Sequence, residues 1–177
     1  MSKGRSVGEG KRVGEGKRVG EGKRVGEGKS AGEERRDPYL GGIPPARFVR
    51  HRPVTGVVVA ILAGSLPDRG LELIPQPSRV LCGGEVHELI LTTEDAGPGS
   101  RVDAISYLGF FEVKQGGVVV AGDDVRVRGS VIGEIAGFDA THMPNHLNVV
   151  LKGRVALDGL AWRFGLGDQV VIGGSPA

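Results

Sequence analysis

Between residues 54 and 172 the apolar positions come in short runs, and where they alternate they do so with a period of two. Val54 to Leu62 is β-branched and apolar, the pattern of a buried strand. Leu71 to Ile74 and Arg79 to Cys82 are shorter extended runs, stopped by Pro75-Gln76-Pro77 and by Gly83-Gly84. From Glu85 to Thr92, His87, Leu89 and Leu91 share one face, and Val86, Glu88 and Ile90 the other. Arg101 to Val113 is extended and aromatic, and Gln115-Gly116-Gly117 turns the chain into Val118-Val119-Val120.

The clearest alternation follows. Val125, Val127, Val131 and Ile135 lie on one face, and Asp124, Arg126, Arg128, Ser130 and Glu134 on the other. This predicts one long strand, bent at Gly129 and Gly133. Further on, Leu147, Val149 and Leu151 face one way and His146, Asn148 and Val150 the other. Asp158-Gly159 between two extended runs predicts a hairpin over 154–164. Gly-Asp-x-Val occurs twice, at Gly122 and Gly167, each time as a turn into a strand.

No segment sustains a 3.6-residue period with caps. Eight to ten short strands with frequent turns predict an all-β fold, a small closed or nearly closed antiparallel barrel. Closure also removes exposed edges, which matters in a chain so rich in valine. The domain is expected over residues 53–175. Residues 37–52 form a Pro-rich extended lead-in, with Pro38, Pro44 and Pro45. Residues 1–36 repeat Val-Gly-Glu-Gly-Lys-Arg from Val7, Val13 and Val19. One valine per repeat buries too little apolar surface to offset the entropy of ordering, so this tail is expected to be disordered.

Charge divides along the same boundary. The first 36 residues hold 11 Lys/Arg and 6 Glu, whereas the remaining 141 hold 12 Lys/Arg and 15 Asp/Glu. The basic balance belongs to the tail, and a mildly acidic core argues against nucleic acid as its partner. Cys82 is the only cysteine, so neither an intrachain disulfide nor a thiolate zinc cluster can form. Apolar runs such as 57–63 are too short to cross a bilayer, and the N-terminus lacks the apolar core of a secretory signal. A cytoplasmic protein without a membrane partner is the expectation.

Candidate chemistry concentrates in one stretch, Gly133 to Asn148. His142 and His146 stand four residues apart, among Glu134, Asp139, Thr141, Asn145 and Asn148. Three readings compete. In the first, His142 and His146 hold a divalent metal, zinc or iron, with Glu134, Asp139 or His87 as third ligand. In the second, His142, His146, Asp139 and Glu134 do acid–base work while Thr141, Asn145, Asn148 and His87 orient a small polar ligand. In the third the loop is structural, its Asx and Thr side chains stabilising a tight turn and Pro144 stiffening it. His87, on a mainly apolar face, reads first as a core histidine with its hydrogen bonds satisfied. Cys82 reads as a buried inert thiol, and Trp162 with Phe164 as core. No nucleophile elbow or phosphate loop is present.

The run Gly-Phe-Asp-Ala-Thr-His-Met-Pro-Asn-His-Leu-Asn, residues 137–148, resembles a bacterial family of small proteins known only as a domain of unknown function. The likeness covers roughly Pro53 to Ile172 and implies no activity. Through its Gly-Asp-x-Val turns the chain is also similar in architecture to closed six-stranded barrels of the riboflavin-synthase type. These readings leave two classes open. One is a small-molecule enzyme or ligand-binding barrel with its site on the histidine loop. The other is a non-catalytic accessory or assembly protein, with homo-oligomers among its expected partners.

Overall fold

Twelve strands form among residues 50–174, the part of the chain that the computed structural model describes. They are β1 (Val54–Ile61), β2 (Ser65–Leu66), β3 (Leu71–Glu72), β4 (Ser78–Leu81), β5 (Val86–Thr92), β6 (Arg101–Val102), β7 (Ile105–Gln115), β8 (Gly117–Val120), β9 (Asp124–Val127), β10 (Ser130–Asp139), β11 (Asn148–Lys152) and β12 (Gln169–Ile172). The repeats, and the lead-in as far as residue 49, lie outside the described residues.

The main sheet runs β1-β12-β9-β10-β11-β5-β7-β2, and β1 also pairs with β7. Hydrogen bonds therefore ring through seven strands, with β2 hung on the outside of β7. This is the expected all-β near-barrel, with seven ring strands rather than six. It is not wholly antiparallel, because β11 runs parallel to β5. Two two-stranded sheets, β3-β6 and β4-β8, complete the fold.

The period of two explains the core. Leu89 and Leu91 on β5, Val125 and Val127 on β9, Val149 and Leu151 on β11, and Val170 and Ile172 on β12 all enter one buried cluster. Phe111, Phe138 and Phe164 fill it, with Trp162 packed against it. Closure demands close backbone approach between β1 and β7. A Cβ on Gly56 would lie 2.5 Å from the Glu112 carbonyl oxygen, and one on Gly109 would lie 2.3 Å from that of Ala60.

A second core lies on the opposite face of β5, β10 and β11. Ile90, Ala136 and Val150 are covered there by Leu71, Leu73, Ala96, Val102 and Ile105. Leu73 presses close enough that a Cβ on Gly137 would come within 3.0 Å of its Cδ1. Both faces of β5 are thereby buried, and this places its polar residues.

Both Gly-Asp-x-Val segments are the same turn. Asp123 Oδ2 accepts from the Val120 amide at 2.8 Å, and Asp168 Oδ2 accepts from the Gly165 amide at 2.7 Å. Gly122 and Gly167 take positive φ, 94° and 85°. The strands that follow, β9 and β12, pair with each other.

Three local expectations are corrected. The single long strand expected over 124–135 is a hairpin of β9 and β10. Arg128 and Gly129 both have positive φ, 52° and 79°, as a two-residue hairpin turn of matching twist requires. Turn and later bulges shift the alternation, and Val131 is exposed while Ile132 is buried. Asp158-Gly159 forms no hairpin. Asp158 instead accepts from the Ala161 and Gly64 amides and opens a helical turn, with Trp162 N donating to Asp158 O. Gly159 is packed against the β7 backbone, its amide donating to Tyr107 O. Cys82 is exposed, because it leaves the end of β4 in the turn at Gly83-Gly84.

Candidate functional site

The ring registers Asp139 opposite Asn148, Asn148 opposite Glu88, and Glu88 opposite Phe110. Paired positions share a face, so β10, β11, β5 and β7 present these four side chains in one row. The loop 140–147 closes over the row and returns His146 to it. Phe110 meets the His146 ring edge to face, 5.0 Å between centroids.

Asp139 organises the loop. It is buried, and its Oδ1 accepts from Asn148 Nδ2 at 2.9 Å and from the Thr141 amide at 3.3 Å. Oδ2 accepts from the Thr141 hydroxyl at 2.9 Å. This is a local Asx-type arrangement, and it turns the chain sharply at the end of β10. Thr141, His142, Met143 and Asn145 are exposed in the turn.

The histidines stack. His142 and His146 lie 4.9 Å apart between centroids, with 24° between their planes. Asn145 Nδ2 stands 3.0 Å from His146 Nδ1. An amide donor there makes Nδ1 the acceptor and leaves the ring proton on Nε2. That atom faces Glu88 Oε2 at 3.4 Å, with both side chains largely buried. Burial drives the Glu88 carboxyl above its ordinary value, against the pull of His146, His142 and Arg69.

His87 enters from the other face of β5. Its Nδ1 accepts from the Leu147 amide at 3.3 Å, and its Nε2 donates to Glu85 Oε2 at 3.1 Å. Glu85 also accepts from the Cys82 amide, and that bond, with His87, holds its carboxyl below the usual range. Burial lowers the His87 pKa, although Glu85 opposes it. His87 is thus a buried histidine with both ring nitrogens hydrogen-bonded, and it also anchors the backbone next to His146.

Of the residues singled out in the sequence, Asp139, Thr141, His142, Asn145, His146 and Asn148 come together, with His87 behind them. Glu134 does not join them. It sits five residues before Asp139 on β10, roughly 15 Å along an extended strand. It pairs with Lys152 at 3.3 Å. Among the described residues, no three His, Cys, Asp or Glu side chains are placed to hold an ion. Lone pairs lie in the imidazole plane, so two nearly parallel stacked rings do not converge on one centre.

Glu88 is the residue that sequence reasoning missed. Its signal is a carboxylate directly before the run Leu89-Ile90-Leu91, on the same strand face as Ile90, where an unpaired charge would be costly. Two further atoms beside the site stand out. His146 Nε2 and Asn148 Oδ1 are buried without a hydrogen-bond partner within the protein.

The chain belongs to a family of unknown function, DUF6917, whose model matches residues 48–173. No curated protein and no solved structure matches it.

Proposed function

We propose that this member of the family binds a small polar molecule at the histidine loop, and that Glu88 and His146 move a proton on it. One observation carries the reading: Asn148 Oδ1 is buried without a hydrogen bond from the protein, beside a buried carboxylate whose ion-pair partner, His146 Nε2, makes no hydrogen bond either. Buried polar groups are satisfied in the great majority of cases, so each exception calls for a partner from outside the protein. A ligand hydroxyl or amine is the complementary group. It donates to Asn148 Oδ1, whose amide orientation is set by the bond from Nδ2 to Asp139. The Glu88 carboxyl, raised by burial, and the His146 imidazole beside it are both groups that can accept and release a proton. His142 stacks on the solvent side of His146 and connects the pair to water.

The competing reading, a structural loop in an accessory protein, draws support from Asp139, whose hydrogen bonds all go to Thr141 in the loop and Asn148 at the start of β11. Thermal-shift screening of small polar metabolites separates the two. The acid–base reading expects ligands that stabilise the wild type and lose their effect in Glu88→Gln and His146→Ala. Ligands that stabilise both variants as they do the wild type, or a complete library without a hit, would favour the structural loop.

A further inference from the structure

A second polar site lies at the other end of β11, away from the histidines. Lys152 Nζ is held between Asp95 Oδ1 at 3.2 Å and Glu134 Oε1 at 3.3 Å. The two carboxylates raise its pKa, so the lysine stays charged. A cleft of about 760 Å³ opens around this triad. Arg154 stands on its wall and makes no ion pair among the described residues. Asp124, also on the wall, is paired with Arg126 at 2.8 Å.

Apart from Thr93, the rest of the lining is apolar or glycine. Val131 and Val155 border the cleft with side chains about half exposed, 51% and 47%. Trp162 lines it too, and its buried Nε1–H has no acceptor within the protein. Glycines shape the floor. A Cβ on Gly133 would lie 2.8 Å from the Lys152 carbonyl oxygen, and one on Gly153 would lie 2.8 Å from Leu91 Cδ1.

The charges decide the ligand class. In the lining, Lys152 and Arg154 stand against Asp95 and Glu134, and the third carboxylate, Asp124, is already paired with Arg126 outside the lining, so the cleft has little excess charge with which to select an anion or a cation. It offers instead donors and acceptors side by side, next to an aromatic and aliphatic strip. Vicinal hydroxyls donate and accept at once, and the C–H face of a sugar ring packs on such a strip. The volume lies within the range of small-ligand sites. We infer that the cleft around Lys152, Glu134, Arg154 and Trp162 binds a neutral polyhydroxylated ligand of mono- to disaccharide size. This site is independent of the histidine loop.

The chain has a single tryptophan, so one indole NMR signal reports on the cleft. Isotope-labelled full-length protein is titrated with glucose, ribose and maltose, and separately with spermidine and citrate. The expected result is a saturable shift of the Trp162 indole and of the Gly133 and Gly153 amides with at least one sugar. Affinity should fall at least tenfold in Glu134→Gln and in Arg154→Ala and stay unchanged in His146→Ala. Both substituted side chains are exposed, so folding is not at issue. The inference is overturned if no sugar shifts these signals, if spermidine or citrate binds more tightly than the sugars, or if both variants bind as the wild type does.

Discussion

Glu88 on β5 and His146 at the mouth of β11 meet with 3.4 Å between Oε2 and Nε2, and the glutamate is buried. The pair exists because β11 adds to β5 in parallel and sets Asn148 beside Glu88. It gives the near-barrel an ionisable centre on its outer wall rather than inside its ring.

The first prediction concerns that carboxylate. The folded state raises the Glu88 pKa above 4.5, so between that value and the folded pKa the native protein holds the extra proton. Stability therefore falls as pH rises through that window and stays lower above it. Glu88→Gln carries no charge to bury. Its melting temperature relative to wild type should increase from pH 4 to pH 7, read by calorimetry across that range. A difference independent of pH would show that Glu88 titrates normally.

His87 predicts the opposite slope. Its folded pKa is depressed below 6.5, so the unfolded chain takes up the proton first as pH falls. This contribution to stability is fully present above 6.5 and is lost on acidification through the folded pKa. Protonation also converts Nδ1 from acceptor to donor, which breaks the bond from the Leu147 amide. Hydrogen exchange at Leu147 should accelerate at acid pH before global unfolding. His87→Phe should cost about 1–3 kcal/mol by leaving that amide unpaired, and should remove the acid dependence.

Asp139 should behave as the organiser of the loop. Asp139→Ala removes the acceptor for the Thr141 amide, the Thr141 hydroxyl and Asn148 Nδ2. Hydrogen bonds to a charged group are worth about 1.5–3 kcal/mol each, but part of the loop can rehydrate. A loss of about 2–3 kcal/mol is expected in denaturant titration. The ring signals of His142 and His146 should lose their mutual stacking shifts.

Ring closure has its own test at Gly109. A methyl group there would stand 2.3 Å from the Ala60 carbonyl oxygen, and backbone cannot yield as a side chain does. Gly109→Ala should part β1 from β7, at a cost above about 3 kcal/mol, or prevent folding. A stable variant with native amide exchange on β1 would show that this approach is not required for closure.

The features legible along the chain are those whose partners lie within a few residues. The two Gly-Asp-x-Val turns close through an aspartate and an amide three positions earlier, so four letters contain the whole interaction. Asp139 and Thr141 form their turn in the same way, and the faces of β5 and β11 follow from their period of two. Even the burial of His87 could be read from Leu89 and Leu91 beside it. Long-range pairing is different, because many valine-rich strands are chemically interchangeable and the register between them is a property of the closed ring. Asp158 accepts from the amide of Gly64, far away in sequence, as well as from that of Ala161, and a helical turn replaces the hairpin that Asp-Gly favours locally. Glu134 was drawn away from the histidines by Lys152, its partner in register on β11. Glu88 was brought to them by a parallel pairing that no local pattern encodes. Turn chemistry and strand faces are therefore written in adjacent residues, whereas the composition of each site depends on which strands the ring makes neighbours.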